Sequence, residues 1–296
     1  MAAAVEEGAV SLIEGCRTFI ETRKRQARGQ VLFGWNQMKG LAVILPTGRR
    51  PRILLAAATL MAALAPCAVA AQVSWHAILA DSGRPDADKA RDADRKPAEM
   101  LAFAKVRHGQ TIVDFLPGKG YFTRLFSLAA GPHGAVYAVT PQILLDRAKG
   151  RPLPPPVSGE PGRGNVHEIV ANDRPFDLPS KADLIWTSQN YHDVHIWLGA
   201  AGTSMLNKQV FDALKPGGLY VILDHAGAAG LDDAGMAKLH RIDEALVKSE
   251  VVKAGFVLDG ESDALRNPAD SHGANVFDPS IRGKTDQFVL RFRKPG

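Results

Sequence analysis

One stretch constrains the fold more than any other: Thr111-Ile112-Val113-Asp114-Phe115-Leu116-Pro117-Gly118-Lys119-Gly120-Tyr121-Phe122-Thr123-Arg124. It opens as a short β-branched and apolar run, the composition of a buried parallel strand. Gly118 and Gly120 then supply a tight turn where a ligand can approach the backbone. From Tyr121 the spacing becomes helical, with Phe122, Leu125, Phe126 and Ala129 on one face. Strand, glycine turn and helix N-terminus together form the element that cradles nucleotides in α/β folds.

The rest of the chain alternates in the same way. Pro97 opens a predicted helix through Phe103. Ala135–Thr140 reads as a second strand and Ile143–Ala148 as a short helix. Residues 150–164, with five prolines, read as a surface excursion. Val166–Val170 and Asp183–Ser188 are the third and fourth strands. A helix occupies much of Ile196–Leu214, and Lys215-Pro216-Gly217-Gly218 turns into a fifth strand, Leu219–Leu223. Met236, Leu239, Ile242, Leu246 and Val247 repeat at the spacing of one amphipathic helix, ended by Gly255. Strands from Phe256–Leu258 and over Asp286–Phe292 close the chain. No internal repeat is visible, and the alternation predicts one α/β domain over residues 72–296.

Residues 1–71 read differently. Arg49, Arg50 and Arg52 precede an apolar run from Ile53 to Ala65, and Val69-Ala70-Ala71 offers small residues before Gln72. This is the pattern of an export signal cleaved before Gln72, with an uncleaved anchor or a buried helix as the alternative. It implies an exported, periplasmic protein; membrane anchoring and a cytoplasmic location are the alternatives. Met38-Lys39 would be a better start for such a signal than Met1. Cys16 and Cys67, the two cysteines, both lie in this segment, so the domain beyond it has neither disulfide nor thiol nucleophile. The net charge of +5 also resides here: residues 72–296 hold 27 of the 36 Lys/Arg and 27 of the 31 Asp/Glu. A formally neutral domain argues against a nucleic-acid partner bound through phosphate neutralisation.

The combination of Asp114–Arg124, Asn190-Tyr191-His192-Asp193, Leu239-His240-Arg241-Ile242-Asp243 and Arg282-Gly283-Lys284-Thr285-Asp286 resembles a bacterial group of methyltransferases, often exported, within the class I S-adenosylmethionine-dependent methyltransferases. The resemblance covers roughly residues 72–296. It implies a three-layer α/β sandwich with a seven-stranded, mostly parallel sheet whose last strand is antiparallel. It also implies S-adenosylmethionine as cofactor and a small-molecule acceptor. The cofactor-binding residues it implies are Asp114, Pro117, Gly118 and Gly120 at the first turn, Thr140 after strand two, Asn172 in the loop after strand three and Asn190 after strand four. Asn172-Asp173 is equally well read as an ordinary Asx turn.

The chain departs from the superfamily at two points. Leu116 and Pro117 stand where the turn usually begins with glycine, and Val139-Thr140-Pro141-Gln142 lacks the acidic residue expected to hold the ribose. The GxGxxG spacing of nicotinamide enzymes is missing as well. A pocket filled by Leu116 or Pro117 would mark a degenerate domain that binds another ligand or a protein.

For catalysis, the expected residues are His192 and Asp193 as candidate bases and Tyr191 as the side chain shaping the sulfonium site. Methyl transfer needs chiefly alignment, and a base only where the nucleophile is protonated. The alternative is a loop that merely caps the next helix. The Asn/Asp-Pro-Pro-aromatic segment of some nitrogen methyltransferases is not complete here, because the prolines are missing. His192 and His195 with Asp193 and His225 invite a metal reading, but no HExxH-type motif supports it and no metal is expected. His240, Asp243, Arg266, Asn267, His272 and the 282–286 segment are candidates for shaping the acceptor pocket. No G-x-S-x-G elbow is present.

Overall fold

The computed structural model describes residues 73–148, 154–172 and 176–296, all within the compact unit Pro66–Gly296. The export signal, its cleavage point before Gln72, and Asp173 lie outside the described residues. Among those described, no helix is long and apolar enough to cross a membrane.

Four short helices, α1 (Trp75–Leu79), α2 (Asp86–Lys89), α3 (Asp92–Arg95) and α4 (Pro97–Phe103), precede the sheet. The alternation then runs β1 (Thr111–Phe115), α5 (Tyr121–Ala130), β2 (Ala135–Pro141), α6 (Gln142–Ala148), β3 (Val166–Ala171), β4 (Ala182–Ser188), α7 (Tyr191–Ala213) and β5 (Leu214–His225). It ends with α8 (Asp233–Leu239), α9 (Glu244–Lys253), β6 (Val257–Ser262) and β7 (Gln287–Arg293). The sheet order is β3-β2-β1-β4-β5-β7-β6. Strands β1 to β5 pair in parallel, and β7 runs antiparallel between β5 and β6. The expected α/β sandwich with its reversed last strand is therefore what the chain forms.

Strand residues alternate between two cores, as a pleat requires. Val113, Phe115, Ile185, Tyr220, Ile222 and Leu290 pack on the side of α7, α8 and α9. Ile112, Leu184, Trp186, Val221 and Val289 pack on the other, with α1, α4 and α5. Both faces are covered, which explains why the central strands read as continuous apolar runs.

Two helices differ from expectation. The predicted single helix through Met236 and Val247 is broken: α8 ends at Leu239, His240 turns left-handed at φ 53°, and Asp243 caps α9 by accepting a hydrogen bond from Ala245 N at 2.8 Å. Tertiary bonding overrides the helical periodicity here. Ile242 forms an isolated bridge with Ala226, just past the end of β5, and the buried Arg241 bonds the Ala226 and Ala274 carbonyls and pairs with Asp270 at 2.8 Å. The other helix, α7, starts at Tyr191 rather than Ile196 and is interrupted at Gly199, whose φ of 64° is non-helical.

Candidate functional site

The order of strands reverses between β1 and β4, the place where open α/β sheets bind ligands at their carboxyl edge. There β1 ends in a turn that bends through left-handed backbone at Leu116 (φ 63°), Gly118 (φ 58°) and Gly120 (φ 79°). Gly120 N donates to Pro117 O at 2.9 Å and closes it. The two glycines serve different ends. A Cβ on Gly118 would meet nothing within 4 Å, so that side of the turn is open. A Cβ on Gly120 would lie 2.3 Å from Val157 Cγ2, so that glycine allows close packing beneath α5.

A cavity of about 400 Å³ opens on this turn, within the size range of small-molecule sites. Asp114, Leu116, Pro117 and Gly118 line it from β1, and Ser188, Gln189 and Asn190 from β4. Asp88 and Arg95 reach it from α2 and α3, and Arg91 from the link between them. Leu116 does not fill it: its side chain is buried in the core on the α7 side of the sheet. Asn190 Nδ2 donates to Leu116 O at 3.0 Å and Ser188 O at 2.6 Å, tying the ends of β1 and β4 together.

Asp114 is the electrostatic anomaly of this cavity. Its carboxyl is 3% exposed and accepts a hydrogen bond from Thr123 Oγ1 at 2.6 Å. Burial pushes its pKa up to about 7, against the opposing pull of Thr123 and of the Arg95 guanidinium. A carboxylate so desolvated favours a cationic partner.

The helices over the cavity are held by charge. The buried Arg84 guanidinium binds Asp92 at 2.8 and 2.6 Å, and Tyr121 Oη donates to Asp92 at 2.6 Å. Arg124 pairs with Asp88 at 3.1 Å and Glu160 at 2.6 Å. Arg95 lies 4.7 Å from the Tyr121 ring centroid. Arg84, Asp88, Asp92 and Arg95 sit in the charged run before Pro97, where the sequence gave no signal of a site.

Arg91, Arg95, Phe122, Ser188 and Gln189 also line a second cavity of about 160 Å³, which adjoins the first. His225, Phe277, Arg282, Thr285 and Gln287 form its far wall, so the 282–286 segment lines this second cavity. Between the cavities stands Gln189, at φ 60°, whose Nε2 donates to Gln287 Oε1 at 2.9 Å. His225 Nδ1 is 2.8 Å from Thr285 Oγ1, and burial pushes the imidazole down to about 4, so it is neutral near pH 7.

The segment after Asn190 is placed otherwise than the sequence suggests. Tyr191 turns into the core, where its hydroxyl donates to Glu250 at 2.9 Å and accepts from Asn207 at 2.7 Å. His192 is 2% exposed and its Nδ1 lies 2.7 Å from Asp224 Oδ1. Burial opposes the charged imidazole, but the Asp224 carboxylate outweighs it and raises the pKa. Asp193 lies near His240. None of these three lines either cavity. Thr140, half-buried at the end of β2, and Asn172, exposed after β3, stand at the same sheet edge but outside the walls of the first cavity. Gln142 is engaged with Asp146 at 2.8 Å. Arg266, Asn267 and His272 brace the late loop instead: Asn267 N donates to Asp286 at 2.7 Å, and His272 Nε2 lies 3.0 Å from Asp286.

No family model and no curated protein matches the sequence. Solved structures do match at the level of fold. A SAM dependent methyltransferase from Aquifex aeolicus is similar at 16% identity and TM-score 0.44, over 71% of this chain and 95% of that one. Fibrillarin from Aeropyrum pernix, with natively bound S-adenosyl-L-methionine, is similar at 14% identity and TM-score 0.38, over 63% and 67%. A possible exported protein from Bordetella parapertussis is similar at 15% identity and TM-score 0.44, over 75% and 78%. Likeness at this distance speaks of the fold alone, and function has to be argued from the cavities.

Proposed function

We propose that the chain binds S-adenosylmethionine in the cavity between β1 and β4 and methylates a small polar molecule held in the adjoining cavity. The observation that carries this reading is Asp114: a buried carboxylate of raised pKa, facing a cavity beside a turn left open at Gly118. Such a group is suited to the α-ammonium of an amino-acid ligand, and the flanking Arg91, Arg95 and Lys119 suit its carboxylate. By their places at the ends of β2 and β3, Thr140 and Asn172 would serve the ribose and adenine. Pro117 fixes the turn and Gly120 seats it on Val157.

When bound, the cofactor supplies a methyl group on a positively charged sulfonium. The protein's part is alignment and water exclusion. Gln189 and Asn190 border the cavity from β4, and Gln189 stands at the junction where an acceptor would meet the cofactor space. On the acceptor wall His225, kept neutral by burial and with Nδ1 beside Thr285 Oγ1, would serve the acceptor as a hydrogen-bond partner and not as a base. On this reading His225, rather than His192, Asp193 or Tyr191, would border the acceptor. Arg282, the cation of the second cavity that the first does not share, would favour an acceptor with an anionic group. The signal pattern over 49–71 supports export as part of the same proposal.

Calorimetric titration of the full chain with S-adenosylmethionine and with its demethylated product tests the reading. One site for each is the expected result. Failure of both to bind would remove the proposal.

A further inference from the structure

His192, Asp193 and His240 bring three ligating atoms together, all within 4.8 Å of one another, outside both cavities. His192 Nε2 lies 3.6 Å from Asp193 Oδ1, and His240 Nδ1 lies 3.3 Å from the same oxygen. Ligands about 2.0–2.1 Å from a tetrahedral ion are separated by about 3.3–3.4 Å, close to both distances. We propose that His192 Nε2, Asp193 Oδ1 and His240 Nδ1 bind a divalent transition-metal ion of the zinc class, with Asp224 orienting His192 from behind.

Four features beyond proximity support this site. First, His192 Nδ1 is 2.7 Å from Asp224 Oδ1, and Asp224 is fully buried. A carboxylate on the far ring nitrogen fixes the tautomer that leaves Nε2 free to ligate. Second, His240 Nδ1 is a buried atom whose 3.3 Å contact with Asp193 Oδ1 does not have the geometry of a formed hydrogen bond, although the side chain as a whole is 31% exposed. An ion between the two would engage both atoms at once. Third, His240 ends α8 in the left-handed conformation at φ 53°, a common helix ending though uncommon for a non-glycine residue. That conformation places the ring 5.5 Å from His192, perpendicular to it. Fourth, Asp193 and Asp224 supply two negative charges, which one divalent cation balances.

Two neutral imidazoles and one carboxylate form a set that suits zinc and leaves a coordination position open. The partly exposed Asp193 and His240 give the ion a way in from solvent. His195, the nearer histidine in sequence, turns instead towards Glu250 at 3.1 Å. The site also sits one ring behind the acceptor wall: His192 is 5.9 Å from His225, and His240 is 5.1 Å from Phe277, by ring centroids. It does not depend on methyl transfer, and its test needs no cofactor.

The probe is Co²⁺, added to the full chain and followed by visible absorption, with Zn²⁺ as competitor. One equivalent should bind, develop the absorption of a tetrahedral nitrogen–oxygen site, and be displaced by Zn²⁺. His240→Ala and Asp193→Asn should each weaken binding at least as much as the ~10–100-fold that loss of an outer-shell partner costs. Asp224→Asn should fall within that ~10–100-fold range, while leaving one equivalent bound at saturation. His167→Ala, on the exposed face of β3, should change nothing, and circular dichroism of each variant should match the parent. The proposal is overturned if the parent chain binds no Co²⁺, or if His240→Ala and Asp193→Asn both bind it as the parent does.

Discussion

Asp114→Asn separates what this residue does for folding from what it does for ligand binding. The carboxyl titrates near 3.8 in the unfolded chain and about 7 in the folded one. Because the folded pKa is the higher, folding carries no charge penalty below the unfolded value. Stability then falls as pH rises through the window, until both states are ionised. A rise from 3.8 to about 7 corresponds to roughly 4 kcal/mol, reached in full above the folded pKa. Asparagine has nearly the same shape and can still accept from Thr123 Oγ1, but it never ionises. The stability gap between variant and parent should therefore widen in favour of the variant by about 2–3 kcal/mol between about pH 5 and about pH 8. Urea unfolding of both proteins across that range measures it, and all other groups titrate alike in the two. A gap that stays flat with pH would refute the claim that Asp114 is held buried and desolvated. The same variant should bind S-adenosylmethionine about 10–100-fold more weakly, through loss of a charge-assisted hydrogen bond worth about 1.5–3 kcal/mol. A variant that is more stable yet binds poorly is the signature of a strained binding group.

Three other outcomes are expected. Gly118→Val places a branched side chain in the open side of the turn and should lower cofactor affinity about tenfold or more, roughly 1.4 kcal/mol, by calorimetry; unchanged affinity would make the turn purely architectural. Asp92→Ala leaves the Arg84 guanidinium buried without its carboxylate and should cost about 3 kcal/mol in denaturant unfolding, at the lower end for a broken buried pair because Arg84 keeps its bond to Leu79 O at 2.8 Å. Mass spectrometry of the native protein should find an N-terminus close to Gln72, and recovery of intact residues 38–71 on cytoplasmic protein would remove the export proposal.

The sheet was legible because its central strands are apolar on both faces and its strands carry their own punctuation. Ala135–Pro141, Val166–Ala171 and Ala182–Ser188 begin and end within a residue or two of their sequence boundaries. Gly118 and Asp114 were legible for a related reason: a turn at the end of a buried strand has few chemical solutions. What escaped notice depends on contacts between distant residues. Nothing local marks Asp86–Arg95 as the roof of a cavity, since its charges look like any solvated face until Tyr121 and Arg124 arrive to pair with them. The helical spacing through Ile242 is real, but Arg241 and Ile242 gain more from the Ala226 strand end than from an unbroken helix. Tyr191 was expected to shape the sulfonium site because it follows the fourth strand. In the fold, the polar Glu250 and Asn207 wait for its hydroxyl inside the core. The metal-ligating set was partly visible in His192 and Asp193, but its third member comes from the break that periodicity hid.

Leu116 shows how the cavity stays open although the turn lacks its usual first glycine. At φ 63° a leucine carries strain of about 1–3 kcal/mol that glycine would not. Its side chain, however, is 5% exposed and packs into the core with Phe115 and Val139, a burial worth about 1.5–3 kcal/mol. The two contributions are of the same order, and the Asn190 Nδ2 hydrogen bond to Leu116 O adds to the favourable side. The backbone thus takes the bend a glycine would have taken, with side-chain packing in the core offsetting the strain. Leu116 is at once a core residue and part of the cavity wall. The bend and the cavity are then coupled through one residue. Shortening Leu116 would loosen the hold on β4 as well as on β1, and the cavity should lose its shape before the sheet loses its order.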